Sequence, residues 1–144
     1  MSRLIYLDNA ATTKTAPEVV DAMIPYFTEH YGNPSSVYSF ASGNKEVVSR
    51  QREIIAQALG AQANEIYFTA GGSESDNWAL KATAEAYEKK GKHIITTKIE
   101  HHAILHTCEY LEKQRGFEIT YLDVDENGVV KLDELIKAIR PDTI

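Results

Sequence analysis

The second half of the chain alternates between short strand-like segments and longer segments with helical spacing. Strand-like segments cover residues 66–69, 93–97 and 117–122, and helical patterns cover residues 73–90, 103–115 and 132–139. Two further helical patterns precede them, at about residues 17–27 and 45–59. Because strands separated by helices pair in one direction, the pattern predicts an α/β fold with a largely parallel sheet flanked by helices.

The composition is that of a globular protein with no pronounced affinity for polyanions. Apolar residues make up 43% of the 144 residues, and the net charge is −6 with the cationic side chains scattered, which argues against nucleic acid and anionic membranes as partners. The single cysteine, Cys108, excludes an internal disulfide. No apolar run has the length of a signal peptide or of a membrane span, so we expect a cytoplasmic location.

The junction between the strand-like segment 66–69 and the following helix has the composition of a phosphate-binding turn. Two glycines, Gly71 and Gly72, permit a tight turn, and Ser73 with Asp76 fits a capping box. Free amides at the start of a helix, together with its dipole, bind phosphate groups. The local pattern is equally compatible with a capped turn that binds nothing.

A group of histidines follows the strand-like segment 93–97, at the sheet end where ligands bind in parallel folds. His101 there can stack on a flat ring or move protons near neutral pH. His102 and His106 have the helical spacing of two zinc ligands, but solvent-facing histidines are the plainer interpretation. Cys108 lies in an apolar helical pattern, which is typical of a small core residue rather than a nucleophile.

Residues 123–134 match the calcium-loop pattern of an EF-hand. The context disagrees, because a strand-like segment precedes the loop where an EF-hand has a helix. Lys131 also occupies a position that usually holds a ligand or a water-binding residue. A calcium-binding module stays an alternative, and an acidic turn between a strand and a helix is the simpler prediction.

The last five residues, Arg140-Pro-Asp-Thr-Ile, resemble the start of another strand. A sheet interrupted at that point would leave an unpaired edge, which natural domains avoid. We therefore expect the sheet to be incomplete and the chain to be a fragment of a longer protein.

Five motifs, taken in order and spacing, resemble the cysteine desulfurases of the class V aminotransferase family. They are Tyr6-Leu-Asp-Asn-Ala-Ala-Thr-Thr, Gly32-Asn-Pro-Ser-Ser, Phe68-Thr-Ala-Gly-Gly-Ser-Glu-Ser-Asp-Asn, Gly91-Lys-His-Ile-Ile-Thr, and Glu100-His with Ala103-Ile-Leu. The resemblance covers essentially the whole chain and the first part of a family member. It implies an N-terminal segment at residues 1–16 and an incomplete cofactor-binding large domain at residues 17–144, of the fold type I class.

The resemblance also implies a cofactor, pyridoxal 5'-phosphate, and a homodimer. Gly72 and Ser73 match the pair that binds the cofactor phosphate, and His101 matches the histidine that stacks on the pyridine ring and assists proton transfer. The implied reaction converts L-cysteine to L-alanine, with the sulfur passing as a persulfide to an acceptor or scaffold protein for iron–sulfur cluster assembly.

The residues that complete this chemistry match nothing in the 144 residues. The resemblance places the lysine that links to the cofactor, and the cysteine that attacks sulfur, further along the chain. We therefore expect this chain alone to lack desulfurase activity. A selenocysteine lyase or another class V enzyme is the alternative with related chemistry.

Overall fold

The computed structural model describes residues 4–144, which form five helices and two strands. In chain order these are α1 (Pro17–Thr28), α2 (Ser39–Leu59), α3 (Gly72–Tyr87), β1 (His93–Thr97), α4 (His102–Arg115), β2 (Glu118–Leu122) and α5 (Leu132–Ala138), with a short 3-10 turn at Ala63–Glu65. The described chain divides into two compact units, one ending at Tyr67 and one beginning at Phe68.

The first unit contains α1 and α2. Helix α1 begins with Pro17, whose fixed φ and missing amide suit the first helical position. Helix α2 buries Ala41 and Ala56 and ends at Gly60, which adopts the left-handed conformation that glycine tolerates best. The side-chain amide of Asn44 in α2 donates to the carbonyls of His30 and Gly32, which fixes the turn between the two helices.

The second unit is built on a β-α-β arrangement. Strands β1 and β2 pair in parallel, from His93 opposite Glu118 to Thr97 opposite Leu122, with α4 connecting them. Helix α3 packs beside α4. The buried cluster is formed by side chains of α3, α4, β2 and the turn before β2, and it comprises Ala84, Cys108, Leu111, Phe117 and Ile119.

The last residues of the chain begin a third strand-like pairing on the free side of β1. Thr143 bridges His93 in the parallel sense, the amide of His93 donates to the carbonyl of Asp142, and the amide of Ile144 donates to the carbonyl of His93. Gly91 allows this approach, because a Cβ atom there would lie 2.0 Å from the carbonyl oxygen of Asp142.

The α/β class with parallel pairing is confirmed, and the predicted helices all form. The prediction of a strand at residues 66–69 is wrong, since this segment follows the 3-10 turn without joining the sheet of the described residues. Strand propensity depends on the neighbour that pairs with a segment, which a local pattern does not contain. The predicted boundary between residues 16 and 17 stays a prediction. Within residues 4–144, no helix is long and apolar enough to cross a membrane.

Candidate functional site

The turn that leads into α3 is held by side chains on both of its flanks. Thr69 Oγ1 donates to the carbonyl of Gly71 and shares a 2.7 Å hydrogen bond with Ser75 Oγ. The carboxylate of Glu74 accepts from the amide of Ala70 at 2.6 Å. These bonds tie residues before the glycines to residues after them, so the turn is preorganised.

Helix α3 begins at Gly72, one residue earlier than the sequence predicted. Gly71 is therefore the N-cap residue, and the prediction that Ser73 caps the helix in a box with Asp76 is wrong. The amides of Glu74 and Ser75 donate to the carbonyl of Gly71. Within the described part of the chain, the Gly72 and Ser73 amides and the Ser73 hydroxyl donate to no protein acceptor.

This donor set fits a phosphate group. Two backbone amides and one hydroxyl lie in the first turn of a 16-residue helix, at the positive end of its dipole. A Cβ atom at Gly72 would meet nothing within 4 Å, so the turn is open to a ligand. The cofactor phosphate that the sequence resemblance implies therefore meets suitable chemistry at Gly72 and Ser73.

His101 follows β1 and is the N-cap residue of α4. Its Nδ1 atom accepts from the amide of Ala103 at 3.1 Å. Because Nδ1 is an acceptor, the neutral ring carries its proton on Nε2, the nitrogen that stays available to a ligand. A hydrogen bond from Thr97 Oγ1 to the carboxylate of Glu100, at 3.2 Å, closes the turn before it. The ring is thus fixed in both position and tautomer.

Ser73 and His101 line the same cavity, which has a volume of about 470 Å³. Gly72 precedes Ser73 at the first position of α3. The residues around the cavity come from α3, α4 and the turn before α4, and they are Ser73, Asn77, Lys81, His101, His102, Ala103, His106, Thr107 and Tyr110. The sequence did not single out Lys81 or Tyr110. Lys81 lies eight residues after Ser73 on α3, and Tyr110 lies eight residues after His102 on α4. This helical spacing is the signal that would have predicted a shared face for each pair.

The rings of His102 and His106 stack on the surface of α4, with centroids 5.3 Å apart. No group of three or more metal-binding side chains is found among residues 4–144. Zinc binding at His102 and His106 therefore has no supporting observation.

The segment that matches a calcium loop is an acidic turn with internal partners. The Asp125 carboxylate accepts from the amides of Asn127 and Val129, and Asp123 pairs with Lys98 at 2.8 Å. The segment that enters the loop is strand β2, as the sequence predicted. The calcium alternative is unsupported, because no group of three or more metal-binding side chains comes together among residues 4–144.

Cys108 is fully buried in the cluster between α3, α4 and the sheet. Burial raises the pKa of its thiol, and the carboxylates of Glu100 and Glu112 raise it further. A buried thiol with a raised pKa is a poor nucleophile. The structure agrees with the prediction that Cys108 is a core residue.

His93 is a fully buried residue to which the sequence assigned no role. Its Nδ1 and Nε2 atoms each lie 2.7 Å from a threonine hydroxyl, on Thr143 and Thr120 respectively. It lies at the amino end of β1, whereas His101 follows the carboxyl end. His93 therefore joins neighbouring strands and lies away from the candidate site.

The family model described as aminotransferase class-V matches residues 5–144. The chain belongs to the class V aminotransferase family. A curated member, the cysteine desulfurase IscS of Clostridium botulinum (strain Kyoto / Type A2), is 57% identical over 144 residues, which are 100% of this chain and 36% of that protein. This chain thus spans about a third of the length of that curated class V relative.

Solved structures of similar proteins share the fold of this class V chain. A NifS-like protein superimposes with a TM-score of 0.92 at 44% identity, covering 97% of this chain and 38% of that one. A structure described as SspA in complex with cysteine superimposes with a TM-score of 0.89 at 40% identity, covering 96% of this chain and 40% of that one.

Proposed function

We propose that this chain forms the phosphate-binding and ring-stacking part of a pyridoxal-phosphate-dependent cysteine desulfurase. The observation that carries the proposal is the shared cavity of Ser73 and His101, in a chain 57% identical to a cysteine desulfurase IscS. The reaction proposed for the whole protein converts L-cysteine and an enzyme thiol to L-alanine and an enzyme persulfide.

Gly72 and Ser73 would hold the cofactor phosphate through their amides and the serine hydroxyl. The support is that these donors have no acceptor within residues 4–144 and lie at the start of α3. Thr69 and Glu74 orient the turn from its flanks, and they leave the Gly72 and Ser73 donors free. A phosphate would therefore bind without a prior rearrangement of the turn, so no binding free energy is lost to ordering it.

His101 would cover one face of the pyridine ring and carry a proton on Nε2. The bond from the amide of Ala103 to Nδ1 supports this assignment, because it leaves Nε2 as the proton-bearing atom of the neutral ring. The bound cofactor supplies an electron sink for the substrate carbon. His101 follows the carboxyl end of β1, the end of a parallel sheet at which ligands bind, and this supports the proposed role.

We further propose that the 144 residues alone do not convert cysteine. The reaction needs a thiolate that reaches the substrate sulfur, whereas the only cysteine, Cys108, is buried and has a raised pKa. The resemblance also matches none of the lysines in these 144 residues to the lysine that links to the cofactor. Incubation with cysteine and pyridoxal phosphate is expected to release no alanine above a protein-free control, and release at a catalytic rate would contradict the proposal.

The partners of the whole protein are part of the same proposal. L-cysteine is the substrate, and the similarity to a structure described as SspA in complex with cysteine supports it. A homodimer and a protein that accepts the sulfur follow from the resemblance. We propose a cytoplasmic location, with which the absence of any possible internal disulfide agrees.

Titration with pyridoxamine phosphate, followed by ³¹P NMR, tests the phosphate contact. This probe has no aldehyde and cannot react with surface lysines. The phosphate resonance is expected to shift on binding, and Ser73→Ala is expected to weaken binding by about five- to ten-fold through the lost hydrogen bond.

Ser42→Ala is the matched control, because the Ser42 hydroxyl bonds only a carbonyl of its own helix. It is expected to bind like the parent chain. Pyridoxamine without the phosphate is expected to bind far more weakly. Equal binding of the two probes, or no effect of Ser73→Ala, would contradict the phosphate assignment.

A further inference from the structure

The cavity that holds Ser73 and His101 extends along a groove between α3 and α4. One wall is a stripe of α3 residues spaced one turn apart, namely Ser73, Asn77 and Lys81. The facing wall is a matching stripe on α4, namely His102, His106 and Tyr110. The groove therefore continues about 12 Å beyond the start of α3, the length of eight helical residues.

The far end of this groove is marked by Lys81 and Tyr110. The Lys81 ammonium lies over the Tyr110 ring, 5.0 Å from its centroid. This contact orients the cation across the groove and leaves its hydrogen-bond donors directed at solvent or a ligand. His106 lies one turn before Tyr110 on the same wall and adds a ring N–H.

The groove lacks negative charge. None of its nine lining residues is an aspartate or a glutamate. Lys81 forms no ion pair with any carboxylate of residues 4–144, whereas Lys98 and Lys113 on the neighbouring surface each have one. Glu109 lies three residues after His106 and lines a neighbouring depression that His102 and His106 also line, where Lys113 pairs with the Glu109 carboxylate.

The groove thus holds a cation, Lys81, and no carboxylate among its lining residues. Several cations of the second unit pair with carboxylates, as Arg140 does with Glu118 and Asp142, whereas Lys81 contacts the Tyr110 ring. The free donors of Lys81, His106 and Tyr110 match the acceptors of a small oxyanion.

We propose that Lys81, His106 and Tyr110 form a second subsite, which binds a small oxyanion, a phosphate group or a carboxylate. The subsite is separate from the cofactor-phosphate contact at Gly72 and Ser73, and either proposal can be correct if the other is wrong. Its affinity derives from charge and hydrogen bonding at an exposed position, so binding is weak and falls with added salt.

The experiment is an NMR titration of the chain with inorganic phosphate at low ionic strength, observing the Lys81 side chain and the His106 ring. Saturable shifts of both are expected. Lys81→Gln is expected to weaken the His106 response about five-fold, and Lys81→Arg is expected to restore it to within about two-fold of the parent.

Lys89→Gln is the matched control, since it removes the same charge from an exposed lysine outside the groove. It is expected to leave the response unchanged within about two-fold. Acetate in a parallel titration separates the two sources of oxyanion: a response to phosphate alone assigns the subsite to phosphate groups, and a response to both includes carboxylates.

Non-saturating shifts with both anions, or equal weakening by Lys89→Gln and Lys81→Gln, would overturn the subsite. The variant Ser73→Ala distinguishes a failure of the subsite from a failure of the cofactor proposal. The subsite requires that the His106 response to phosphate survive Ser73→Ala, whereas the cofactor contact requires that binding of pyridoxamine phosphate weaken in the same variant.

Discussion

His93 Nδ1 lies 2.7 Å from Thr143 Oγ1, and this contact joins the last residues of the chain to strand β1 inside the second unit. The other ring nitrogen bonds Thr120 on β2, so one buried imidazole connects three neighbouring segments. A ring with both nitrogens satisfied can be buried without the cost of an orphaned polar atom.

Replacing this imidazole is expected to destabilise the second unit. His93→Ala removes a fully buried ring and the imidazole partner of two threonine hydroxyls, which should lower the free energy of unfolding by about 2–4 kcal/mol. Urea unfolding followed by circular dichroism measures the change. His102→Ala removes an exposed imidazole and is expected to change the free energy of unfolding by less than about 0.5 kcal/mol. Equal effects of the two variants would contradict the role of His93.

Gly91 is predicted to be sensitive to any side chain. The Cβ atom of Gly91→Ala would lie 2.0 Å from the Asp142 carbonyl oxygen, so the third strand segment must move away from β1. A loss of about 2–4 kcal/mol in the free energy of unfolding is expected. The control is Gly43→Ala in α2, where a Cβ atom meets nothing within 4 Å and the substitution should stabilise by about 0.5–1 kcal/mol. A neutral Gly91→Ala would show that residues 142–144 do not approach β1 this closely.

Arg140 is expected to make part of the stability depend on acid pH. Its guanidinium binds the carboxylates of Glu118 and Asp142 and holds the pKa of each below its ordinary value, 4.5 and 3.8 respectively. A carboxyl whose pKa is lower in the folded state adds stability above its unfolded pKa and loses it as pH falls through the folded pKa.

Arg140→Gln should therefore be less stable than the parent chain near neutral pH, and the difference should shrink as pH falls below about 4. Unfolding curves at a series of pH values measure the difference. Lys137→Gln disrupts only an exposed pair with Asp133 and should show no such pH dependence. A difference that stays constant down to the acid range would contradict the coupling.

The Cys108 thiol is expected to resist modification in the folded chain. It is fully buried and its pKa is raised, so both access and the thiolate fraction are low. Its reaction with Ellman's reagent should be at least about a hundred-fold slower in buffer than in denaturing urea. Because the chain has one cysteine, the absorbance change reports this residue alone. Rapid labelling without denaturant would contradict its burial.

The periodic segments were predictable from the sequence because their signals are local. Gly60 and Gly116 end α2 and α4 in the left-handed conformation, as glycine after a helical pattern predicts. The motif set around Ser73 and His101 also predicted two residues that line one cavity.

The errors arose where a distant partner or a competing local bond decides the structure. Residues 66–69 have strand composition, yet strand formation depends on a neighbour that a local pattern does not contain. Ser73 has the composition of a cap, but the helix starts one residue earlier and the Glu74 carboxylate bonds the amide of Ala70 instead. The contacts of His93 with Thr120 and Thr143 span 27 and 50 residues, beyond any local pattern.

The central claim is that Ser73 and His101 serve one ligand, with the phosphate at the turn and the ring against the imidazole. Intermolecular nuclear Overhauser effects in the complex with pyridoxamine phosphate measure this most directly. Contacts are expected from the ligand ring protons to the His101 imidazole, together with shifts of the Gly72 and Ser73 amides. Binding with ring contacts elsewhere, for example at His30, and with unshifted Gly72 and Ser73 amides would contradict it.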